Sequence, residues 1–600
     1  MTPYQAPLRD LRFCFDELLD YPAHYSTLPL AAEIGRDDVD FIVGEVAKFA
    51  QEVIAPLYVS GDSEGAHCED GRVTSPRGFA EAYRRYVEAG WPRLGNPPEH
   101  GGQAAPYSLK LAVSEFMQAA NGAWCMYALL NDGGIKTLMS YAQPAQIEAF
   151  VPKLVSGEWM STMCLTEPQC GSDLNLVRCR AEPAADGKYR ITGTKIFISS
   201  GEQDFSENIV HLVLARLPDA PPGTRGISLF VIPKRKLRDD GSAGDANAIR
   251  CLSIEHKMGL KASATCVMAF DGAEGWLVGE PHRGLKAMFV YINKSRLGTA
   301  QQGQAHAEAA YQASLAYARE RRAGRAPSGP VSRDKEADAL LVHPDIRRML
   351  LTQRAIAEGG RALVLYCAQW VDRADTDDRK VREQAERRLA LLTPIAKGAV
   401  SEWGSEAADL GVQILGGHGY MKEWGLEQRV RDVRITRIYE GTTGIQGMDL
   451  LGRKVLGPQR ETLQEFTGEI LDFCARHASD NGLRPLVRKL ADATNRWRTM
   501  TDRIAARHSS DPDLVPAIAV DYLMFAGYVS VAWLWARSAQ VANAKLATKS
   551  PEREFYLAKL QTAQFYFDRI LPRIAVCEAA VEAGSSSLMA MSDDGFAAGR

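Results

Sequence analysis

The segment RITRIYEGTTGIQ, residues 434–446, sets one carboxylate, Glu440, between an aliphatic strip carrying Arg434 and Arg437 and a glycine followed by two threonines. A carboxylate there can be a base held on a loop or the last polar residue before a turn, and the spacing leaves both readings open. Three other stretches carry groups suited to holding a cofactor. In CLTEPQCGSD, 164–173, Thr166, Ser172 and Asp173 flank a proline-and-glycine turn whose hydroxyls and free N–H groups suit a planar ring or phosphate oxygens. An ordinary side-chain-capped turn would use the same residues. In TGTKIFISSG, 192–201, Phe197 can lie along a flat ligand while Ser199 bonds to its edge, although a half-buried strand explains the pattern equally simply. In GVQILGGHGY, 411–420, Gly416 and Gly417 allow close backbone approach beside Gln413, which suits a phosphate or adenine. The same glycines can cap a helix, and His418 reads as a loop hydrogen-bonder.

The elements that must position these groups change along the chain. Up to about residue 160, apolar residues recur at three- and four-residue spacing, as in DDVDFIVGEVAKFAQEVIAPL and LKLAVSEFMQAANGAWCMYALL, and predict an all-helical region. The glycines and prolines of GWPRLGNPPEHGGQ, 90–103, mark a loop between helices. After LVSGEW the period becomes two, which predicts a small β domain over 161–282 with a solvent-exposed hairpin at 238–250. Helical spacing returns from 283 and continues to the end, interrupted at 324–337 and near 451–462. The expected divisions are an N-terminal extension, 1–40; a helical domain, 41–160; a β domain, 161–282; a helical bundle, 283–457; and a further helical domain, 458–600. Separate α, β and α blocks, with no GxGxxG between a strand and a helix, argue against a doubly wound sheet.

Composition narrows the function classes. The 600 residues are 46% hydrophobic and 24% charged with a net charge of −3, which fits a multidomain globular protein and not a nucleic-acid binder. Eleven cysteines without CxxC pairs and eleven histidines without HExxH spacing point to neither a disulfide framework nor a metal site, so no metal is expected. The start lacks the basic and apolar regions of a secretory signal. The apolar stretch YLMFAGYVSVAWLW, 522–535, is shorter than the ~20 residues a bilayer span needs and reads as a buried helix.

Taken together, LTEP..GSD, GTKIFISSG, QILGGHGY and RITRIYEGTTGIQ, in this order across an α–β–α layout, resemble the acyl-CoA dehydrogenase family of flavoproteins. The resemblance covers about residues 40–455. Both end segments are similar to extensions of a larger bacterial subgroup that includes long-chain acyl-CoA dehydrogenases and 3-methylmercaptopropionyl-CoA dehydrogenases. It implies a mainly α fold with an N-terminal helical domain, a middle β-barrel or sandwich and a C-terminal four-helix bundle, here with an extra C-terminal helical domain. It also implies FAD, an acyl-CoA substrate of medium to long chain, or 3-methylmercaptopropionyl-CoA as the alternative, and α,β-dehydrogenation to a trans-2-enoyl-CoA.

By the same resemblance Glu440 is the α-proton base, because the rival base position, directly before Arg296, holds Ser295. Met163, Leu165, Thr166, Gly171, Ser172, Phe197 and Ser199 match the flavin side. Arg321, Gln413, Gly416, Gly417 and Thr442 match the remaining cofactor contacts, Arg321 reaching a phosphate from a neighbouring subunit. Ser172, Asn293, Arg296 and Gly441 match positions that face substrate. Two departures concern the adenosine end: Ala323 and Gly324 stand where the family usually carries a phenylalanine, and Gly444 where it often carries glutamine. An electron-transfer flavoprotein as acceptor, at least a homodimer, and a bacterial cytoplasmic location, with peripheral inner-membrane contact through the tail left open, complete the expectation. An oxidase using O₂ and a DNA-associated flavoprotein of the same fold are the rivals. Near balance of acidic and basic residues in 460–600 argues against the second.

Overall fold

The computed structural model describes residues 4–29, 31–548 and 550–599. They fall into two compact units, Asp37–Ser295 and the pairing of Met1–Arg36 with Arg296–Arg600.

In the Asp37–Ser295 unit, the predicted helices form, with Tyr107–Ala128 the longest confined to it. That helix is buried nearly all round and breaks its dihedral pattern at Asn121 (φ −156°, ψ 88°). The Asn121 side chain takes the Trp124 N–H at 3.1 Å and donates to the Ile54 carbonyl at 3.2 Å, which compensates for the interrupted ladder. The expectation of an all-helical region needs one correction. A short antiparallel hairpin, His67–Glu69 with Arg72–Thr74, lies within it, turning through Asp70 and Gly71 at positive φ. Three-residue strands are too short to show a period of two.

The β domain is a closed ring. Thr265–Val278 pairs with Tyr189–Ser199, which pairs with Arg180–Pro183; Arg180–Pro183 meets Asn208–Arg216, and Ile227–Pro233 links that strand back to Thr265–Val278. Closure leaves none of these five strands with two open edges, while Ile249–Ile254 and Trp159–Cys164 add to the outside of the path. Asn208–Arg216 and Ile227–Pro233 are buried along almost their whole length, hence their unbroken apolar runs. The helices Asn131–Tyr141 and Pro144–Ser156 pack Ile135, Leu138, Phe150 and Leu154 against Leu212, Leu214, Leu229 and Val231. The expected hairpin near 238–250 forms from Arg235–Leu237 and Ala243–Ala246, but Ala243 is buried in the core, so the excursion is only partly solvated.

In the second unit, Pro344–Ala374, Arg379–Leu415 and Leu514–Ala547 pack as long helices. Small residues set their approach. An added Cβ at Gly398 would meet Leu523 at 2.7 Å, one at Gly359 would meet Val531 at 2.7 Å, and one at Gly527 would meet Ala399 at 2.5 Å. The 522–535 stretch therefore sits inside a 34-residue helix that is long and apolar enough to cross a membrane, with 67% of its most apolar window buried in the protein. The helix runs on past both ends of the 522–535 stretch, so its length does not exclude a span, and burial supports the core-helix reading instead.

The N-terminal residues belong to the same unit. Asp10 pairs with Arg361 and with Lys559; Arg361 also reaches Glu308 at 2.8 Å, and Lys559 reaches Glu358 at 2.8 Å. His24 meets Asp372 at 3.0 Å, and Gln369 donates to the Leu19 carbonyl at 2.8 Å. Three segments distant in sequence are joined through buried charge.

Candidate active site

Glu440 lies where the chain leaves a 3-10 turn, Arg434–Arg437, and before it enters the helix Thr443–Met448. Glu440 and Gly441 both take positive φ, 55° and 87°. For glutamate this is an uncommon, strained conformation that surrounding contacts must hold. Those contacts come from both sides of the turn. Gln446 donates through Nε2 to the Glu440 carbonyl at 3.0 Å and the Gly441 carbonyl at 3.2 Å. Lys397, fully buried in Arg379–Leu415, donates to the Gly441 carbonyl at 2.6 Å. One turn further along that helix, Glu402 accepts from Arg437 at 2.8 Å and from the Thr443 hydroxyl at 2.6 Å, gripping the segment before and after the turn. Tyr439 donates to Gln302.

The Glu440 carboxylate makes no salt bridge among the described residues and keeps partial contact with solvent. Burial pushes its pKa up to about 7, with Arg296 and Lys397 opposing the rise through space. Burial brings the Lys397 ammonium down to about 8, against the attraction of Glu440. A carboxylate poised near neutrality is suited to taking a proton from a weak carbon acid. The Glu440 backbone N–H donates to no group among the described residues, so it is available to an incoming oxygen.

In the other unit, the flavin-side motifs share one built structure. Strand Tyr189–Ser199 carries an extra residue opposite Thr265–Val278: Ile198 faces Cys266, whereas Lys195 faces Met268. The bulge falls at Ile196 and Phe197 and turns Phe197 to φ 58° with 59% of its surface exposed. A bulky aromatic held strained and open offers a face on which a flat ligand can lie. Ile196 N–H donates to the Thr166 carbonyl at 2.9 Å, tying the two motifs together. Thr166, Met163, Leu165 and Ser199 are half-buried, and Gly171 and Ser172 are exposed on the turn.

The sequence reading passed over the pair that fixes this arrangement. Lys195 and Glu167 form a buried ion pair at 2.8 Å; Glu167 also accepts the Arg178 and Cys179 N–H groups at 2.7 and 3.0 Å, and Lys195 donates to the Leu165 carbonyl at 2.9 Å. Both residues stand inside the quoted motifs, and for Lys195 the lone charge in the strand Tyr189–Ser199 between Ile191 and Ile198 is the signal that would have found it. Lys397, single in the apolar run TPIAKGAV, gave the same signal.

The remaining candidates are distributed differently. Gly416 ends Arg379–Leu415 at φ 59°, and Gln413, Gly416, Gly417 and Arg321 are all exposed. His418 is held by the Tyr317 hydroxyl at 2.9 Å and stacks on Trp424 at 4.6 Å, a loop-fixing role. The Thr442 hydroxyl caps Thr443–Met448 by accepting the Ile445 N–H at 3.2 Å, so it has a local task as well as any cofactor contact. Asn293 is exposed, but Arg296 is 5% exposed and bonded to Asp449 at 2.9 Å, placed to act by charge on Glu440.

Comparison with known proteins gives the chain's kinship. Acyl-CoA dehydrogenase N-terminal, middle and C-terminal domains match residues 37–158, 162–273 and 282–455, and an acetyl-CoA dehydrogenase C-terminal-like domain matches 466–592. A 3-methylmercaptopropionyl-CoA dehydrogenase of Ruegeria pomeroyi is 43% identical over 95% of this chain and 96% of its own. The protein belongs to the acyl-CoA dehydrogenase family. Within this family, a broad-specificity linear acyl-CoA dehydrogenase of Mycobacterium tuberculosis is 32% identical over 99% of this chain and 100% of its own length. An acyl-CoA dehydrogenase complexed with FAD from Bacillus anthracis shares the fold, with a TM-score of 0.73 at 19% identity over 95% of this chain and 91% of that one. This acyl-CoA dehydrogenase family member thus has the helical, β and helical domains of its kin together with the extra C-terminal helices.

Proposed function

We propose that the protein is an FAD-dependent dehydrogenase that removes the α and β hydrogens of an acyl-CoA thioester to give a trans-2-enoyl-CoA. The observation that carries the reading is Glu440: a carboxylate held in a strained turn, raised to about 7, with an uncommitted backbone N–H beside it. In this reading Glu440 takes the α proton, and its own N–H meets the thioester oxygen as negative charge develops there. FAD, when bound, supplies the acceptor for the β hydrogen as hydride. Thr166, Ser172, Phe197 and Ser199 would hold its ring side; the strained, exposed Phe197 is the feature that fits a planar group. Gln413, Gly416, Gly417, Thr442 and Arg321 would hold its remainder. Exposure of Arg321 and of the glycine turn supports completion by a second subunit, as at least a homodimer.

For the substrate, the 43% identical relative supports 3-methylmercaptopropionyl-CoA. The second reading, a medium- to long-chain fatty acyl-CoA, is supported by the linear acyl-CoA dehydrogenase relative. Anaerobic bleaching of the flavin against a ladder of acyl-CoA lengths plus the thioether substrate decides between them. The thioether is expected to bleach with the highest kcat/KM; a maximum at long chains would reverse the choice. Admission of air afterwards separates an electron-transfer flavoprotein acceptor from an oxidase, which would reoxidise rapidly with product bound.

A further inference from the structure

Lys397 is a fully buried ammonium on a helix whose other buried side chains are mostly apolar, and such a charge is costly and needs a reason. Its partner is the carbonyl of the residue after the base, at 2.6 Å. That carbonyl also accepts from Gln446 at 3.2 Å, so the bond to Lys397 is not required merely to satisfy it. Arg379–Leu415 grips the same turn through Glu402, which binds Arg437 and Thr443 on either side. Lys397 therefore adds something that Gln446 and Glu402 do not, a positive charge bonded directly to the turn that carries Glu440.

We propose that Lys397 is a positioning residue for Glu440: bound to the Gly441 carbonyl, its ammonium holds the left-handed turn and sets a counter-charge near the carboxylate that favours the ionised base. The inference rests on Glu440 being the α-proton base. Arg296, from Gly284–Glu320, favours the ionised form more strongly than Lys397 does, but it is bonded to the Asp449 carboxylate at 2.9 Å. Arg437 is neutralised by Glu402, and burial and the neighbouring carboxylate hold the Tyr439 phenol above its usual range, so it stays neutral. Among the described residues, Lys397 is a cation that bonds to the turn and has no carboxylate bonded to it. It also titrates close to the base, down to about 8 against about 7, so the two protonations are coupled.

The test compares holoenzyme carrying Lys397→Met with wild type in two measurements. The first is the infrared carboxyl band that disappears in Glu440→Gln, followed against pH. The second is the pH profile of single-turnover flavin bleaching by acyl-CoA. Removing the charge is expected to move both midpoints up by about one to two pH units, and Lys397→Arg to return them most of the way. Unmoved midpoints in Lys397→Met, or a loss of rate equal at every pH, would overturn the proposal, because a purely structural lysine lowers the rate without shifting the profile. If neither variant yields yellow protein, the wild-type band decides. Coupling spreads its titration over more than the width of one ideal proton; a single ideal step refutes the pairing. Failure of the base assignment is separately visible, since Glu440→Gln would then still bleach while the infrared midpoint continued to report Lys397.

Discussion

Glu440 and Phe197 share one peculiarity, a left-handed backbone at a side chain that ordinarily avoids it. For Glu440 the strain is held by hydrogen bonds from two helices; for Phe197 it is held by a bulge. Replacing Glu440 by Gln keeps shape and turn while removing the proton acceptor. FAD and acyl-CoA binding should persist and the anaerobic bleaching rate fall by about 10²–10⁴-fold, read in a stopped-flow experiment. Because burial raises the Glu440 carboxyl to about 7 and only the ionised form accepts a proton, the wild-type bleaching rate should climb as pH rises toward 7 and level off above it. A rate independent of pH between 5 and 8 would count against Glu440. At Phe197 the expectation has two signs. Phe197→Gly releases the positive-φ strain and should stabilise the cofactor-free chain by roughly 1 kcal/mol in urea melts, while weakening FAD retention on dilution. Weakened stability together with unchanged FAD affinity would show the aromatic to be structural.

At the scale of elements, the strand Tyr189–Ser199 and the turn after Trp159–Cys164 work as one piece because Lys195 and Glu167 are buried against each other. Burial alone would raise the Glu167 carboxyl, but Lys195 and the two backbone donors outweigh it and hold it below its usual range. Lys195→Met leaves Glu167 with no cation, and breaking one side of a buried pair costs about 3–5 kcal/mol. The variant should unfold at lower urea and shed FAD, whereas a paired Lys195→Met, Glu167→Leu change should recover much of the stability. The sequence reading found the hydroxyls and the aromatic of these motifs, since chemistry-bearing residue types stand out in short motifs. It passed over the charged pair, since what makes Glu167 and Lys195 important is burial, a property of the closed barrel and not of either segment. The bulge at Phe197 was equally hidden, as it depends on the register with Thr265–Val278.

For the molecule as a whole, the N-terminal segment and the C-terminal helices lie in one unit with the bundle, and Asp10 is one of the groups that join them. Burial by itself would raise the Asp10 carboxyl, yet Lys559 and Arg361 together hold it well below the ordinary range. A carboxyl depressed in the folded state contributes stability that is present above its unfolded value and is lost as pH falls toward the folded one. Acid melts should therefore show a loss of stability below about pH 4 that Asp10→Asn abolishes. Asp10→Ala should cost about 3–5 kcal/mol at neutral pH, because Arg361 and Lys559 would stay buried with one partner fewer. A Tm unchanged in Asp10→Ala would show the N-terminal segment to be an appendage.

The sequence by itself determined the order of helical and β blocks, the long helices, the loop at 324–337 and the family, because hydrophobic periodicity and short motifs are local properties of the chain. It also singled out Glu440. Only the tertiary structure decided what that glutamate's surroundings do to it. The climb to about 7, the grip of Lys397 and Glu402 on the turn, and the placing of Arg296 on Asp449 all arise from residues distant in sequence. Likewise the helix Leu514–Ala547 is long and apolar enough for a membrane, and only its packing against Gly359, Gly398 and Ala399 makes it a core element. Burial, and the desolvation that follows from it, exists only once segments far apart in the chain have met.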